Sequence, residues 1–447
     1  MLRRFCFFIL PVIIALTIPF VAVDRFRGYS CDVEIFDTWS GCLWRGEAEN
    51  GVCKRFHVNY PSIGILASAG VMRLLNELGF QGDFRVRAQP FRQALAIVDA
   101  MNLLLFLALL KALRIRFAEW WTLAFALLPS TRVGGAMFGQ IDGVSQLFLS
   151  VGFLSLNQAW SALERGDRRV QWWLVFLAGS ILAAVCTKQL VIFSLPVLVL
   201  GGGYLWYQVA KRFAHPRGVY VTIPFIFTIL IALDRMFPVP PGYLGSMMMY
   251  SVGAGSRHGR EIGNNGFNIF TLLPAHPSSP SDQWYPFFTL WGGQVSGIPL
   301  YIGAALFLIC NLWVVWCVYR LVRPLGSIDA TRATVAALAV AAFLNLSMNV
   351  FLTGTHERYL YHYGFFVMPC VLWLLGQGRV GLSVVAIVAA HLTVYGFFVY
   401  SKIGRLSSFL VPLSSQILIV TTTLFLCVMS LVRLVQVSHH SQYNSQR

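Results

Sequence analysis

Charge is scarce in this chain. Only 12% of its 447 residues are Asp, Glu, Lys or Arg, where a soluble domain runs near a quarter, so the chain cannot cover a water-facing surface. The in–out alternation that an outer-membrane barrel requires is missing as well. No Lys/Arg block interleaved with aromatics accompanies the net charge of +16. The basic residues are scattered at the ends of apolar runs, where orientation signals and lipid-headgroup contacts account for them and nucleic acid does not. Neither a CxxC pair nor an HxxxH occurs, which argues against a zinc site. No small-x-small cleavage site follows the apolar start at Phe5, so that run is expected to stay as a first span rather than be removed.

What the chain does have is apolar length. Hydrophobic residues make up 57% and come in runs such as Phe5–Val23, Trp172–Val185 and Ile417–Val432. Lipid offers no water to a free N–H or C=O, so such runs must be helices that satisfy their own backbone. The expected class is all-α: a polytopic membrane protein of about twelve spans, near 5–23, 92–111, 117–132, 142–162, 172–188, 190–209, 218–237, 298–319, 333–353, 359–376, 379–400 and 409–432.

Charge asymmetry orients these spans. With the amino terminus in the cytoplasm, Arg3/Arg4, Lys111/Arg114/Arg116, Arg165/Arg168/Arg169, Lys211/Arg212/Arg217, Arg320/Arg323/Arg332, Arg379 and Arg433 all fall inside. Only Arg132, Lys188, Arg358, Lys402 and Arg405 remain in short outer loops, as the positive-inside rule demands. Counting Pro61–Phe80 as a span would invert this pattern. Its Arg73, Asn76 and Glu77 fit an amphipathic helix at the outer interface instead. Two long outer loops result, 24–91 and 238–297, and they divide the chain into 1–237, 238–297 and 298–447. Long ordered loops of this kind usually carry function.

Of nine cysteines, most lie in apolar runs as small hydrophobes. Cys31, Cys42 and Cys53 are evenly spaced in the first loop, and an oxidising compartment would allow one disulfide among them.

Five groups could carry chemistry. Asp32, Glu34 and Asp37 lie within six residues just beyond the first span, where they suit a general base or a solvated helix start. Gln140 and Asp142 follow the third span, and Asp142 suits an N-cap as well as a ligand role. Lys188, with Gln189 beside it between two apolar runs, is a point charge fit for a phosphate or a snorkelling side chain. His356, Glu357 and Arg358, followed by Tyr359 and His362, are costly at a membrane boundary unless they face a cavity or each other. Asp99 lies seven residues into the second span after Arg92 and needs a partner inside the bundle.

Together these elements resemble the GT-C glycosyltransferases, and among them the glucosyltransferases that extend the dolichol-linked oligosaccharide, with their bacterial relatives. The family's Gly-Asp-x-Glu followed by Trp is matched by Asp32, Glu34 and Trp39, with Cys31 in place of the Gly. Its Asp-Tyr-Pro-Pro appears as Asn59-Tyr60-Pro61-Ser62, with the acid and one proline lost. Its Arg and Asp seven apart match Arg92 and Asp99, and its Lys-Gln matches Lys188-Gln189. Its bacterial His-Glu-Arg-Tyr matches 356–359, and an Asn-Leu-Trp-like element resembles Phe267–Phe270.

The resemblance implies an integral membrane hexosyl- or pentosyltransferase that moves a sugar from a polyprenyl-phosphate donor to an extracytoplasmic acceptor (lipid-linked glycan, lipid or protein), with inversion. Asp32 would be the base, with Glu34 beside it. Lys188, His356 and Arg358 would hold the donor phosphate, and Tyr60, Gln140, Asp142, Gln189 and Glu357 would line the substrate. No cofactor is required, and most members need no metal; the sequence offers no ligand cluster beyond Asp32, Glu34 and Asp37. A bacterial inner membrane, with both termini cytoplasmic and a role in cell-envelope glycan synthesis, is the expected setting, and an ER membrane the alternative. The rival readings are a lipid or glycolipid transporter or flippase and a non-catalytic scaffold. Transporters usually show repeated halves with charges near mid-bilayer, whereas here Asp99 is nearly alone in a span and the polar residues gather at one surface.

Overall fold

The apolar runs are helical in the computed structural model, which describes residues 5–26, 28–29, 31–44, 60–213, 269–272, 279–290, 293–322, 329–353 and 360–403, with a few helical positions between 224 and 232. These residues are mostly helical. Four of the described helices are long and apolar enough to cross a membrane: Phe5–Arg25, Phe84–Ala112, Pro299–Trp316 and Ala330–Phe351. The spans expected at 218–237 and 409–432 lie largely or wholly outside the described residues. The chain divides into two compact units, one of Met1–Val252 with Tyr400–Ser407, the other of Gly253–Val399 with Ser408–Arg447.

In the first unit, α1 (Phe5–Arg25) opens with a π-helical turn and turns Phe7, Phe8, Ile13, Phe20 and Val21 outward. Apolar side chains left exposed on one flank fit a lipid-facing surface. Helix α2 (Asp32–Trp44) buries Val33, Phe36 and Trp39. Its first turn carries Asp32 and Glu34, where unpaired N–H groups favour carboxylates. A helical run, α3, is built from Ser62–Ile65, a π-helical turn at Leu66–Gly70 and Val71–Glu77. It is amphipathic: Ile65, Ala69, Met72 and Leu75 face the core, while Leu74 and Leu78 are exposed and Arg73 pairs outward with Glu77 at 2.7 Å. The expected amphipathic helix over Pro61–Phe80 is therefore present.

The next helix, α4 (Phe84–Ala112), begins eight residues before the expected span, with the Asp83 side chain accepting from the Arg85 N–H as its cap. Its early start is possible because Arg87 is buried against Asp37 of α2 in a two-pronged pair, at 2.8 and 2.9 Å. Helix α5 (Ala118–Leu127) ends before Pro129, and a single turn, α6 (Ser130–Val133), leads to a glycine-rich connection. From there α7 (Asp142–Glu164) packs against α4, against α8 (Val170–Val185) and against α9 (Leu195–Arg212). Between α8 and α9 the chain passes through an extended Lys188 into a 3₁₀ turn at Gln189–Phe193.

The second unit contains a departure from an all-helical chain. Strands β1 (Tyr285–Leu290) and β2 (Gly293–Gly297) pair antiparallel, from Tyr285 opposite Gly297 to Leu290 opposite Gly293. The register slips between Pro286 and Phe288, where proline has no N–H to give the ladder. Helices α10 (Pro299–Val322), α11 (Ala330–Phe351) and α12 (Tyr361–Gly376) follow, then α13 (Leu382–Ile403). Every residue of α11 from Val340 to Phe351 is buried. Asn311 of α10 donates to the Ser347 hydroxyl of α11 at 3.0 Å. The 3₁₀ turn Ile269–Leu272 packs on α11, with Phe270 buried.

Candidate active site around Asp32 and Lys188

The site is organised by the connection between α6 and α7. Ala136 is clamped through both backbone groups: its carbonyl accepts from Arg92 Nε at 3.2 Å and its N–H donates to Asp99 Oδ2 at 2.9 Å. Arg92 also donates to the Phe26 carbonyl at 2.8 Å and to Gln89 at 2.9 Å. The Arg and Asp that stand seven apart on α4 thus act on a backbone segment. One turn further along α4, Asn102 donates to the Gly143 carbonyl at 2.8 Å. Buried side chains satisfy polar groups of the connection and of the first turn of α7 here, which low-dielectric surroundings require.

Holding this segment places Gln140 against α2. Its buried amide donates to the Asp32 carboxylate, a short contact between residues 108 apart in sequence. Gly139 permits the approach: its φ is +68°, and a Cβ there would collide with Val33 of α2. Two residues beyond Gln140, Asp142 is the first helical residue of α7 and makes no capping bond, because Ile141 takes the cap position. Its carboxylate instead pairs with Lys188 Nζ at 2.6 Å. Both side chains are almost fully buried, at 1% and 4% exposure.

Lys188 reaches this position because α3 packs directly on the backbone before it. Gly64 N–H donates to the Cys186 carbonyl at 3.0 Å, and a Cβ on Gly64 would strike the Thr187 carbonyl oxygen. The Tyr60 ring lies 5.6 Å from Lys188 Nζ, within cation–π range. It is fixed from the other side by Trp39 and Phe36 of α2, with ring centroids 5.3 and 5.8 Å away.

Asp32, Tyr60, Gln140, Asp142 and Lys188, drawn from four stretches of sequence, therefore meet around one connection. Glu34 does not join them. Residues two apart on a helix stand about 200° apart, and Glu34 is exposed on another face of α2. Asp37 is committed to Arg87, and among the described residues no three His, Cys, Asp or Glu side chains converge as a metal site. Gln189 begins the 3₁₀ turn after Lys188. His356, Glu357 and Arg358 lie outside the described residues, as do Phe267 and Asn268; His362 is buried in α12 with its ring against Tyr361, centroids 5.5 Å apart. Cys42 is disulfide-bonded.

Two features of the site escape a local reading of the sequence. The Arg87–Asp37 pair spans 50 residues; the only nearby hint is Asp83, a capping residue placed ahead of a run that continues helical past Arg87. The clamp on Ala136 involves backbone groups, which leave no trace in residue type. Neither family models, curated proteins nor solved structures give a match to the chain.

Proposed function

We propose that this protein is an integral membrane glycosyltransferase that moves a hexose or pentose from a polyprenyl-phosphate donor to an acceptor hydroxyl, with inversion, on the extracytoplasmic side. The observation that supports the reading most is the meeting of Asp32, Tyr60 and Lys188, which the GT-C motifs single out from separate parts of the chain, with Gln140 and Asp142. Asp32 is half-buried and fixed by Gln140, as a base must be before it can act on a bound hydroxyl. In the reaction the Asp32 carboxylate takes the acceptor's hydroxyl proton. The hydroxyl oxygen forms a bond to the anomeric carbon, and the bond from that carbon to the phosphate oxygen breaks. Polyprenyl phosphate departs with the bonding electrons. Lys188 supplies positive charge to the leaving phosphate, exchanging part of its contact with Asp142 for the donor. His356 and Arg358 are assigned the same task, and Gln189 and Glu357 a place in the substrate lining, from the motif resemblance alone.

No nucleotide sugar and no cofactor enter this scheme. The orientation that goes with it has twelve spans, both termini in the cytoplasm and the two long loops outside, in a bacterial inner membrane. The test is direct: purified full-length chain is incubated with polyprenyl-phosphate glucose, mannose, galactose or arabinose and a membrane glycolipid extract, and products are read by mass spectrometry. An acceptor gaining 162 or 132 mass units (roughly one hexose or pentose less water) supports transfer as a covalent group-transfer step. Donor loss without any glycosylated product, or no donor consumption with any sugar, removes the reading.

A further inference from the structure

Away from Asp32, on the face of α2 that carries Glu34 and Thr38, the first unit opens a cleft of about 400 Å³. Its walls are Glu34 and Thr38 of α2, Asn76 of α3, Asp83 before α4, and the buried Asp37–Arg87 pair. A volume of this size falls within the range of small-molecule sites, about 300–1,000 Å³. The arginine at its floor suggests an anion site at first sight, but the hydrogen bonds exclude it. Nε donates to Asp37, one terminal nitrogen donates to Asp37 and to the Gly82 carbonyl, and the other donates to the Phe80 carbonyl and Asn76. All five guanidinium N–H groups are thus committed, so none is left for a phosphate.

What the cleft presents to a ligand is mostly acceptors. Glu34 is exposed, and the Asp83 side chain, 54% exposed, has Arg85 Nε 3.8 Å from one of its oxygens. The Thr38 hydroxyl spends its proton on the Glu34 carbonyl at 3.0 Å and keeps its lone pairs. The Asn76 amide, whose oxygen holds Arg87, has its NH₂ as a donor. With Asp83 facing Arg85 and Asp37 committed to Arg87, the charges nearly balance, and the excess of acceptors matches a neutral ligand carrying many hydroxyl donors. The Phe84 ring, with the Arg85 guanidinium 5.8 Å over it and Tyr29 edge-on at 5.9 Å, completes the lining.

We infer that this cleft binds a neutral, hydroxyl-rich carbohydrate. In a statement that rests on the transferase reading, it holds acceptor units beyond the one that reacts. A helix is roughly 10 Å across with its side chains, and α2 stands between the cleft and Asp32. An acceptor that reaches both must therefore extend over at least that distance.

The probe is an array of immobilised neutral oligosaccharides of glucose, galactose, mannose or arabinose, together with the same compounds phosphorylated. Fluorescently labelled full-length protein in detergent is applied as wild type, Glu34→Gln, Asp83→Asn and Asp32→Asn. Asparagine at 83 keeps the helix cap, and residue 34 is exposed, so both variants are expected to fold; thermal unfolding checks this. Wild type and Asp32→Asn should be retained on neutral oligosaccharides, and the other two variants about tenfold more weakly, as the loss of a charge-assisted hydrogen bond requires. Absence of retention on every neutral compound, preference for the phosphorylated ones, displacement by spermidine but not by free sugar, or unchanged retention of the two variants would overturn the inference. Retention with no transfer from any donor leaves the cleft in place and removes the transferase. Transfer to single-sugar or lipid acceptors, with no oligosaccharide retained, does the reverse.

Discussion

Lys188→Met converts the buried ion pair at the site into a buried, unpaired carboxylate. At 2.6 Å the Lys188–Asp142 attraction is about 6 kcal/mol for an effective dielectric near 20. Most of that only offsets the cost of taking both charges out of water. Removing one partner leaves the cost and deletes the offset, so a loss of about 3–5 kcal/mol is expected. Asp142→Asn should do similar damage by stranding the ammonium beside Tyr60. The double variant removes both charges and should recover most of the loss, since residues that share one interaction are non-additive. Thermal unfolding of each purified variant in detergent, at one scan rate, gives the readout. At about 2–4 °C per kcal/mol, each single variant should melt roughly 6–20 °C below wild type and the double variant within a few degrees of it. Single variants that melt with wild type, or a double variant no better than the worse single, would refute a buried, ionised pair.

Two further outcomes are expected, one from the packing of α3 and one from the charge asymmetry of the sequence. Gly64→Ala places a methyl group against the Thr187 carbonyl, and backbone cannot swing aside, so about 1–3 kcal/mol of overpacking should lower the melting temperature and, by shifting α3 off Lys188, reduce transfer; unchanged melting and activity would show that α3 does not seat there. For orientation, an impermeant maleimide applied outside intact cells after mild reduction should label Cys53 and should not label Arg165→Cys. The opposite pattern would invert the topology.

Much of the architecture is legible because lipid leaves the chain few choices. Long apolar runs had to be helices, and charge asymmetry kept Pro61–Phe80 out of the span count; the amphipathic α3 is the result. Boundaries were less legible where a distant partner decides them. The span is expected from 92, yet Asp37 neutralises the buried Arg87 and α4 begins at Phe84. Asp142 reads locally as an N-cap, but its carboxylate goes to Lys188, 46 residues on, and Ile141 takes the cap position. The strands at 285–297 lie in a loop where Pro and Gly obscure the two-residue period. Motif order singled out Asp32, Tyr60 and Lys188, and the residues after the third span singled out Gln140 and Asp142; these do meet. Motif spacing alone paired Asp32 with Glu34, which helical geometry sets on different faces.

The central claim is that Asp32 is the base of a sugar transfer, and turnover of Asp32→Asn tests it most directly. Asparagine keeps an oxygen to accept from Gln140, so the fold and melting temperature should stay near wild type, while kcat with a polyprenyl-phosphate sugar falls by about 10²–10⁴-fold. A correctly folded Asp32→Asn protein that transfers sugar at the wild-type rate would contradict the account.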